Sequence, residues 1–286
     1  MVERNVSIII PSYNRAHLLW EIIPSYFQEE VLEVIVINDC STDNTEKVLL
    51  EIKEKYPDLI ILVNDRNLKQ MSSKNKGIEV AKGKYIFFGD DDSFLMPGAI
   101  KQLLKTKLLT NADVIGARIL YMNKEESAFE QCIHRHKKHG LFRSDLSKLE
   151  FNFTADLGEP VECFYAQALI LVEKSKLGNH RFNLSYFGNC YREETDFMLS
   201  LYIKGLKFVY DSQALLINLP PQKATGGART SNKVKYHYES IINNYTFLKR
   251  YNAEINNLTN DNHTIFYRQF LFIYSKFIAF GRKLIK

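Results

Sequence analysis

The chain has 286 residues, a net charge of +5, 45% apolar and 25% charged residues, which suits one large α/β domain or a domain with an appendage and excludes a disordered chain. So mild a charge gives no reason to expect a nucleic-acid partner. Four scattered cysteines, Cys40, Cys132, Cys163 and Cys190, have no C-x-x-C spacing, so they indicate neither a zinc ribbon nor a disulfide framework and fit a reducing compartment.

The opening "MVERNVSIIIPSYNR" sets charges before a strand-length apolar run, without a long hydrophobic core or a small-residue cleavage site, and reads as a first strand rather than an export signal. Strand and helix signals then alternate through residue 120. "VSIIIPSY" precedes "AHLLWEIIPSYF", "EVIVIND" precedes "NTEKVLLEIKEKY", "LIILVND" precedes "SSKNKGIEVAKG", and "KYIFFGD" precedes "MPGAIKQLLKTKLL". Short β-branched runs between amphipathic helices predict βαβ units and a mostly parallel sheet covered on both faces. In such sheets ligands bind beyond the carboxyl ends of the strands. The polar strand exits "PSYNR", "NDCSTDNT", "NDRN" and "GDDDSF" therefore open on one edge. Three adjacent aspartates there, Asp90, Asp91 and Asp92, repel one another and call for a cation or a set of donors.

Beyond "ADVIGARILYM" the pattern weakens. "HRHKKHG", with His134, His136 and His139, reads as a solvated loop rather than a metal site, for want of acidic partners in a helical setting. "ECFYAQALILVEKSKL" carries strand signals, "REETDFMLSLYIKG" reads as a helix, "LKFVYDSQALLIN" as a strand, and "LPPQKATGGARTSN" as a flexible loop. In the tail, at roughly 100° per residue, Phe266, Phe270, Ile273, Phe277, Phe280 and Leu284 share a sector opposite Arg268, Lys276, Arg282, Lys283 and Lys286. This amphipathic basic helix is interrupted by charge too often to span a bilayer. Its aromatic seam suits an anionic membrane surface, the domain itself or a second subunit.

"VSIIIPSYNR", "VIVINDCSTDNT", "NKGIEVAKGKYIFFGDDDSFLMPGAI" and "REETDFMLSLYIKGLKF" occur in an order and at a spacing that resemble family 2 glycosyltransferases with the GT-A fold, over roughly residues 4 to 218. The resemblance implies an α/β, Rossmann-like sheet flanked by helices, with a C-terminal helical extension. It implies a catalytic domain over 1–220, with a nucleotide-sugar half (1–120) and an acceptor half (121–220), then a loop and helical tail over 221–286. It also implies inverting transfer of a sugar from a nucleoside diphosphate, UDP in particular, to an acceptor hydroxyl.

By the same resemblance, Asp39 accepts the ring N–H of the base, a task suited to an acceptor-only carboxylate. Pro11, Tyr13 and Arg15 lie in the loop that meets the nucleotide, and Lys74 stands where the family often has an arginine near the base. The Asp90–Asp92 cluster resembles the family's D-x-D element, which implies a divalent metal, Mn²⁺ or Mg²⁺, with Asp92 the first choice as ligand and Asp90 beside it. Asp90 and Asp91 also have the sugar or ribose within their remit. "REETD" supplies the acid that takes the acceptor's proton: Glu194, with Glu193 and Asp196 as alternates. In "GGART", Arg229 is placed to clamp diphosphate, as is Lys223 nearby, and Asn218 and Leu219 stand where the family often has a histidine.

Two rivals to this reading are a nucleotidyltransferase, disfavoured because "PSYNRAH" has no glycine for a phosphate loop, and a non-catalytic relative that binds nucleotides or glycans. The implied partners are a nucleotide-sugar donor and a glycan or lipid-linked sugar acceptor, with peripheral membrane contact through 264–286 and a cytoplasmic location at the inner membrane face.

Overall fold

The computed structural model describes residues 2–167, 169–226 and 232–284. Its amino-terminal half follows the alternation: β1 (Val6–Ser12), α1 (Ala16–Ile22), a 3-10 turn (Ile23–Tyr26), β2 (Val31–Asn38), α2 (Thr45–Lys55), β3 (Leu59–Val63), α3 (Lys69–Val80) and β4 (Tyr85–Phe88). Side chains of β1 and β2 alternate between two cores. Ile8, Ile10, Val34 and Val36 pack with Leu18, Leu19, Leu49 and Ile52, while Ile9, Ile35 and Ile37 pack with Met71 and Ile78. Burial on both faces is why these strands read as nearly continuous apolar runs.

The chain continues as β5 (Ser93–Leu95), α4 (Ala99–Thr110), β6 (Val114–Tyr121), α5 (Phe129–His139), β7 (Phe142–Asp145), β8 (Glu150–Phe153), β9 (Val161–Cys163), β10 (Ile170–Glu173), α6 (Lys174–Leu177), α7 (Glu193–Ile203) and β11 (Phe208–Asn218). The main sheet runs β3-β2-β1-β4-β10-β6-β11-β5, with β9 also on β11. Pairing is parallel from β3 to β4 and between β6 and β11, as the alternation predicts. Elsewhere it is antiparallel: β10 lies between β4 and β6, and β5 and β9 pair with β11. The link 89–92 between β4 and β5 is far too short for a parallel crossover. Connections from β1 run to β2 on one side while β4 lies on the other, so a crevice opens at the carboxyl ends of β1 and β4.

The basic run 134–140 departs from the loop reading. It lies largely in α5, because Phe129, Cys132, Ile133 and His136 recur at helical spacing and supply an inward face. Burial and the adjacent Arg135 hold the His136 imidazole below its usual pKa.

At the carboxyl end, α8 (Lys233–Thr259) and α9 (Ile265–Leu284) pack on each other. Phe266 and Phe270 of the aromatic seam do not make that contact. Phe266 and Phe270 are exposed, whereas Arg268 and Gln269 are buried, because the neighbouring surface is polar: Arg268 reaches Asn256, Asp261 and the Ser147 carbonyl, and Gln269 bonds Asn244 and the Ile241 carbonyl. No helix among the described residues is long and apolar enough to cross a membrane.

Candidate active site

The turn after β4 is clamped from below. The buried Tyr26 hydroxyl accepts the Asp90 N–H (3.1 Å) and faces the Asp90 and Ser93 carbonyls at 3.0 and 2.9 Å. Gly89 makes room for that ring, since a Cβ there would lie 2.8 Å from it. Burial, then the neighbouring Asp90, raises the tyrosine pKa, so its proton stays available to the clamp. Asp91 turns inward: its carboxylate accepts the Ser12 hydroxyl (2.8 Å) and lies 3.6 Å from Arg15 Nε, which fastens the β4 exit to the β1 exit. Asp92 Oδ2 lies 3.3 Å from Arg15 Nη2, and the Asp92 carbonyl accepts the Leu219 N–H.

These exits enclose a cavity of about 260 Å³, lined among others by Pro11, Tyr13, Arg15, Asp39, Asp90 and Asp92. Asp39 is largely occupied by the fold. Its Oδ1 accepts from Asn64 and the Leu68 N–H, and its Oδ2 from the Lys69 N–H, satisfying backbone donors at the start of α3. With two lone pairs per oxygen, Oδ2 keeps one for a ligand. Arg15 is 4% exposed, and its Nε and Nη1 have no hydrogen-bond partner among the described residues. Gly226, at φ +88°, brings the segment after β11 against Asn14 and Arg15; a Cβ there would sit 2.3 Å from the Asn14 carbonyl oxygen. Lys223 points away, 3.5 Å from Glu21 on the surface. Arg229 lies outside the described residues.

Lys74 is not among the residues that line the first cavity. It is 1% exposed, with Nζ 2.7 Å from Glu194 Oε1 and 3.4 Å from Glu193 Oε1. The reason is helical phase: Met71, Lys74 and Ile78 form the buried stripe of α3, which directs the amine beneath α7. A lysine on an otherwise apolar stripe was the signal available in the sequence. The two glutamates raise the Lys74 pKa against the opposing effect of burial.

The three acids of "REETD" have different surroundings. Glu193 is buried, accepts from Gln70 (2.6 Å), and keeps Oε2 without a partner among the described residues. Burial pushes its carboxyl up to about 8 despite Lys74. Lys74 thus pairs with both carboxylates, more closely with Glu194, while burial favours the protonated form of Glu193. Asp196 faces away from both: Tyr186, Tyr251, Asn183 and Arg250 surround it at 2.9–3.2 Å. Only Glu194 both keeps a substantially open side chain, 29% exposed, and borders two cavities. The second cavity, of about 340 Å³, is walled by Phe151, Tyr165, Tyr191 and Thr195, and shares Gln70, Cys190 and Glu194 with the first.

The aspartate cluster fits a small hard cation. Burial foremost, with mutual repulsion, raises Asp90 to about 7 and Asp91 to about 6, so ionising the whole turn is costly unless a cation joins it. Among the described residues no group of three or more His, Cys, Asp or Glu is arranged to hold a metal unaided. One or two carboxylates completed by phosphate oxygens and water is the usual setting of Mg²⁺. Asn67, Lys69, Gln70 and Cys190, which the sequence motifs did not point to, also line the first cavity, together with Asn218. Asn218, standing where a histidine was anticipated, accepts from Ser93 at 2.7 Å.

Comparison with known proteins agrees with this architecture. The profile described as glycosyl transferase family 2 matches residues 7–170. The chain is 32% identical over 189 residues to the GalNAc(5)-diNAcBac-PP-undecaprenol beta-1,3-glucosyltransferase of Campylobacter jejuni, covering 64% of this chain and 56% of that protein. It is 29% identical over 155 residues to the uncharacterized glycosyltransferase YwdF of Bacillus subtilis, 53% of this chain and 51% of that one. The chain thus spans about half the length of these curated relatives. In fold it is similar to S. aureus TarS 1-349 in complex with UDP-GlcNAc, with TM-score 0.59, 18% identity and coverage of 85% of this chain and 66% of that one. It is likewise similar to GalNAc-T7 with UDP, GalNAc and Mn2+, with TM-score 0.60, 16% identity and coverage of 76% and 44%. Two cavities flanking one glutamate on a helix-covered sheet, a family profile over more than half the chain and these structural likenesses point the same way: the chain belongs to glycosyl transferase family 2 and has the GT-A fold.

Proposed function

We propose that this protein is an inverting glycosyltransferase that moves a sugar from a nucleoside diphosphate, uridine in particular, to a hydroxyl of a glycan or lipid-linked sugar in polysaccharide or glycolipid biosynthesis. The observation that carries this reading is Glu194, a carboxylate held by Lys74 at the partition between an aspartate-lined cavity and an aromatic-walled one. The donor occupies the first and the acceptor the second. UDP or UDP-GlcNAc in TarS, and an undecaprenol-linked substrate in the name of the Campylobacter relative, support the donor and acceptor classes. Residues 1–220 serve as the catalytic unit, with 1–120 forming most of the donor half and 121–220 the acceptor half, and 221–286 as an appendage. The four free cysteines suit cytoplasmic work.

Each side chain has a task in this mechanism. Asp39 Oδ2 takes the base N–H, with Pro11 and Tyr13 against the nucleoside. The Arg15 guanidinium, whose Nη1 has no hydrogen-bond partner among the described residues, donates to phosphate oxygens. Asp92 and Asp90 would hold a divalent cation, whose chemistry is to neutralise charge on the departing diphosphate. Glu194 accepts the acceptor's proton as the oxygen attacks, and attack from the face opposite the diphosphate inverts the anomeric centre. Lys74 holds that carboxylate in place.

Glu194→Gln should retain donor affinity while transfer falls by at least about 100-fold, with donor binding read by titration calorimetry and transfer by nucleoside diphosphate release. Asp92→Ala should instead weaken metal-supported donor binding. Full transfer by Glu194→Gln would remove Glu194 from the role.

A further inference from the structure

On α9, Phe266, Tyr267, Phe270, Leu271, Tyr274 and Ile278 are all exposed, Phe266 at 77% and Phe270 at 62%. At roughly 100° per residue these six fill one uninterrupted arc of the helix. The opposite arc makes the internal contacts, and they are largely polar: Arg268 to Asn256 and Asp261, Gln269 to Asn244. A helix at a water-facing surface shows the reverse arrangement, polar outside and apolar inside. The arc is rich in tyrosine and phenylalanine, the residues that sit well at the boundary between headgroups and acyl chains. Arg268 pairs with Asp261, but from residue 269 to 286 the sequence has four Lys or Arg and no Asp or Glu. An aromatic stripe on a segment of uniformly positive charge complements an anionic lipid surface.

We propose that the exposed arc of α9 docks on an anionic phospholipid bilayer. The side of the molecule it selects is informative. The Phe272 ring lies 5.4 Å from that of Tyr191, a wall of the second cavity, so the bilayer meets the acceptor side of Glu194. Resting on the glycosyltransferase reading, this narrows the acceptor to a saccharide carried on a lipid, with the sugar in the second cavity and its chain in the bilayer beyond α9. The docking itself needs no catalysis to be observed.

The test is co-sedimentation of the full chain with vesicles of phosphatidylcholine alone or mixed with phosphatidylglycerol, without donor. Binding is expected on the mixed vesicles, weakened by added salt, and at least about tenfold weaker in Phe270→Glu and Tyr274→Glu. Both positions are solvent-exposed, so circular dichroism and UDP binding should be unchanged. Leu108→Glu on α4, at another exposed apolar position, should bind vesicles like the parent chain. Absence of vesicle binding, equal binding by Phe270→Glu, or a dimer in light scattering that Phe270→Glu disperses would each overturn the proposal. Donor binding in the same samples reports separately on the transferase reading.

Discussion

At the residue scale, a single buried cation serves two adjacent carboxylates. Lys74 lies closer to Glu194, at 2.7 Å, than to Glu193, at 3.4 Å, and burial still raises the Glu193 carboxyl from the ordinary 4.5 to about 8. The sign of the pH dependence follows. A carboxyl with a raised folded pKa favours the folded state fully below its unfolded pKa, and that contribution is lost as pH rises through the folded value. Melting temperature should therefore decline between about pH 4.5 and pH 8, and Glu193→Gln should flatten that part of the profile, which differential scanning calorimetry would show. The acids themselves were legible, because their spacing after "GDDDSF" fits the family pattern. The Lys74 contact was not, since it depends on where α3 and α7 sit in three dimensions.

At the element scale, α7 is fixed to α8 by one carboxylate. Asp196 accepts hydrogen bonds from the buried hydroxyls of Tyr186 and Tyr251 and from the Asn183 amide, and pairs with the half-exposed Arg250, so its removal strands three donors. Asp196→Ala should cost about 3 kcal/mol in urea unfolding. A much smaller loss would show that water replaces the carboxylate at little cost. Helices of the first half were readable because their apolar periods stand between strand signals. The α5 helix was obscured by its charge: "HRHKKH" looks like a solvated loop until Phe129, Cys132 and Ile133 are counted with His136 as one inward face. For α9 the amphipathic pattern was visible, but the side turned toward the protein was not, because a buried arginine can dock a helix when its partners include Asp261 and backbone carbonyls.

At the scale of the whole molecule, the parallel half of the sheet was legible and the other half only partly so. Parallel units advertise themselves by alternation, whereas β5 and β9 are three-residue strands whose partner β11 is remote in sequence. The site joins both halves, so filling it should stabilise the entire fold: UDP with Mg²⁺ or Mn²⁺ at 100 times its dissociation constant should add about 2.7 kcal/mol. A thermal-shift titration showing no rise with any nucleotide sugar would count against the donor cavity. The approach of Gly226 to Asn14 also governs biogenesis. The nearby hydrogen bond from His17 to the Lys223 carbonyl spans 206 positions. During translation, the earliest βαβ units emerge and fold long before that closing segment leaves the ribosome. The nascent chain therefore acquires the parallel β1–β4 part of its sheet early but the rest of the sheet and the completed first cavity late, so premature termination would yield a partly structured, poorly binding fragment.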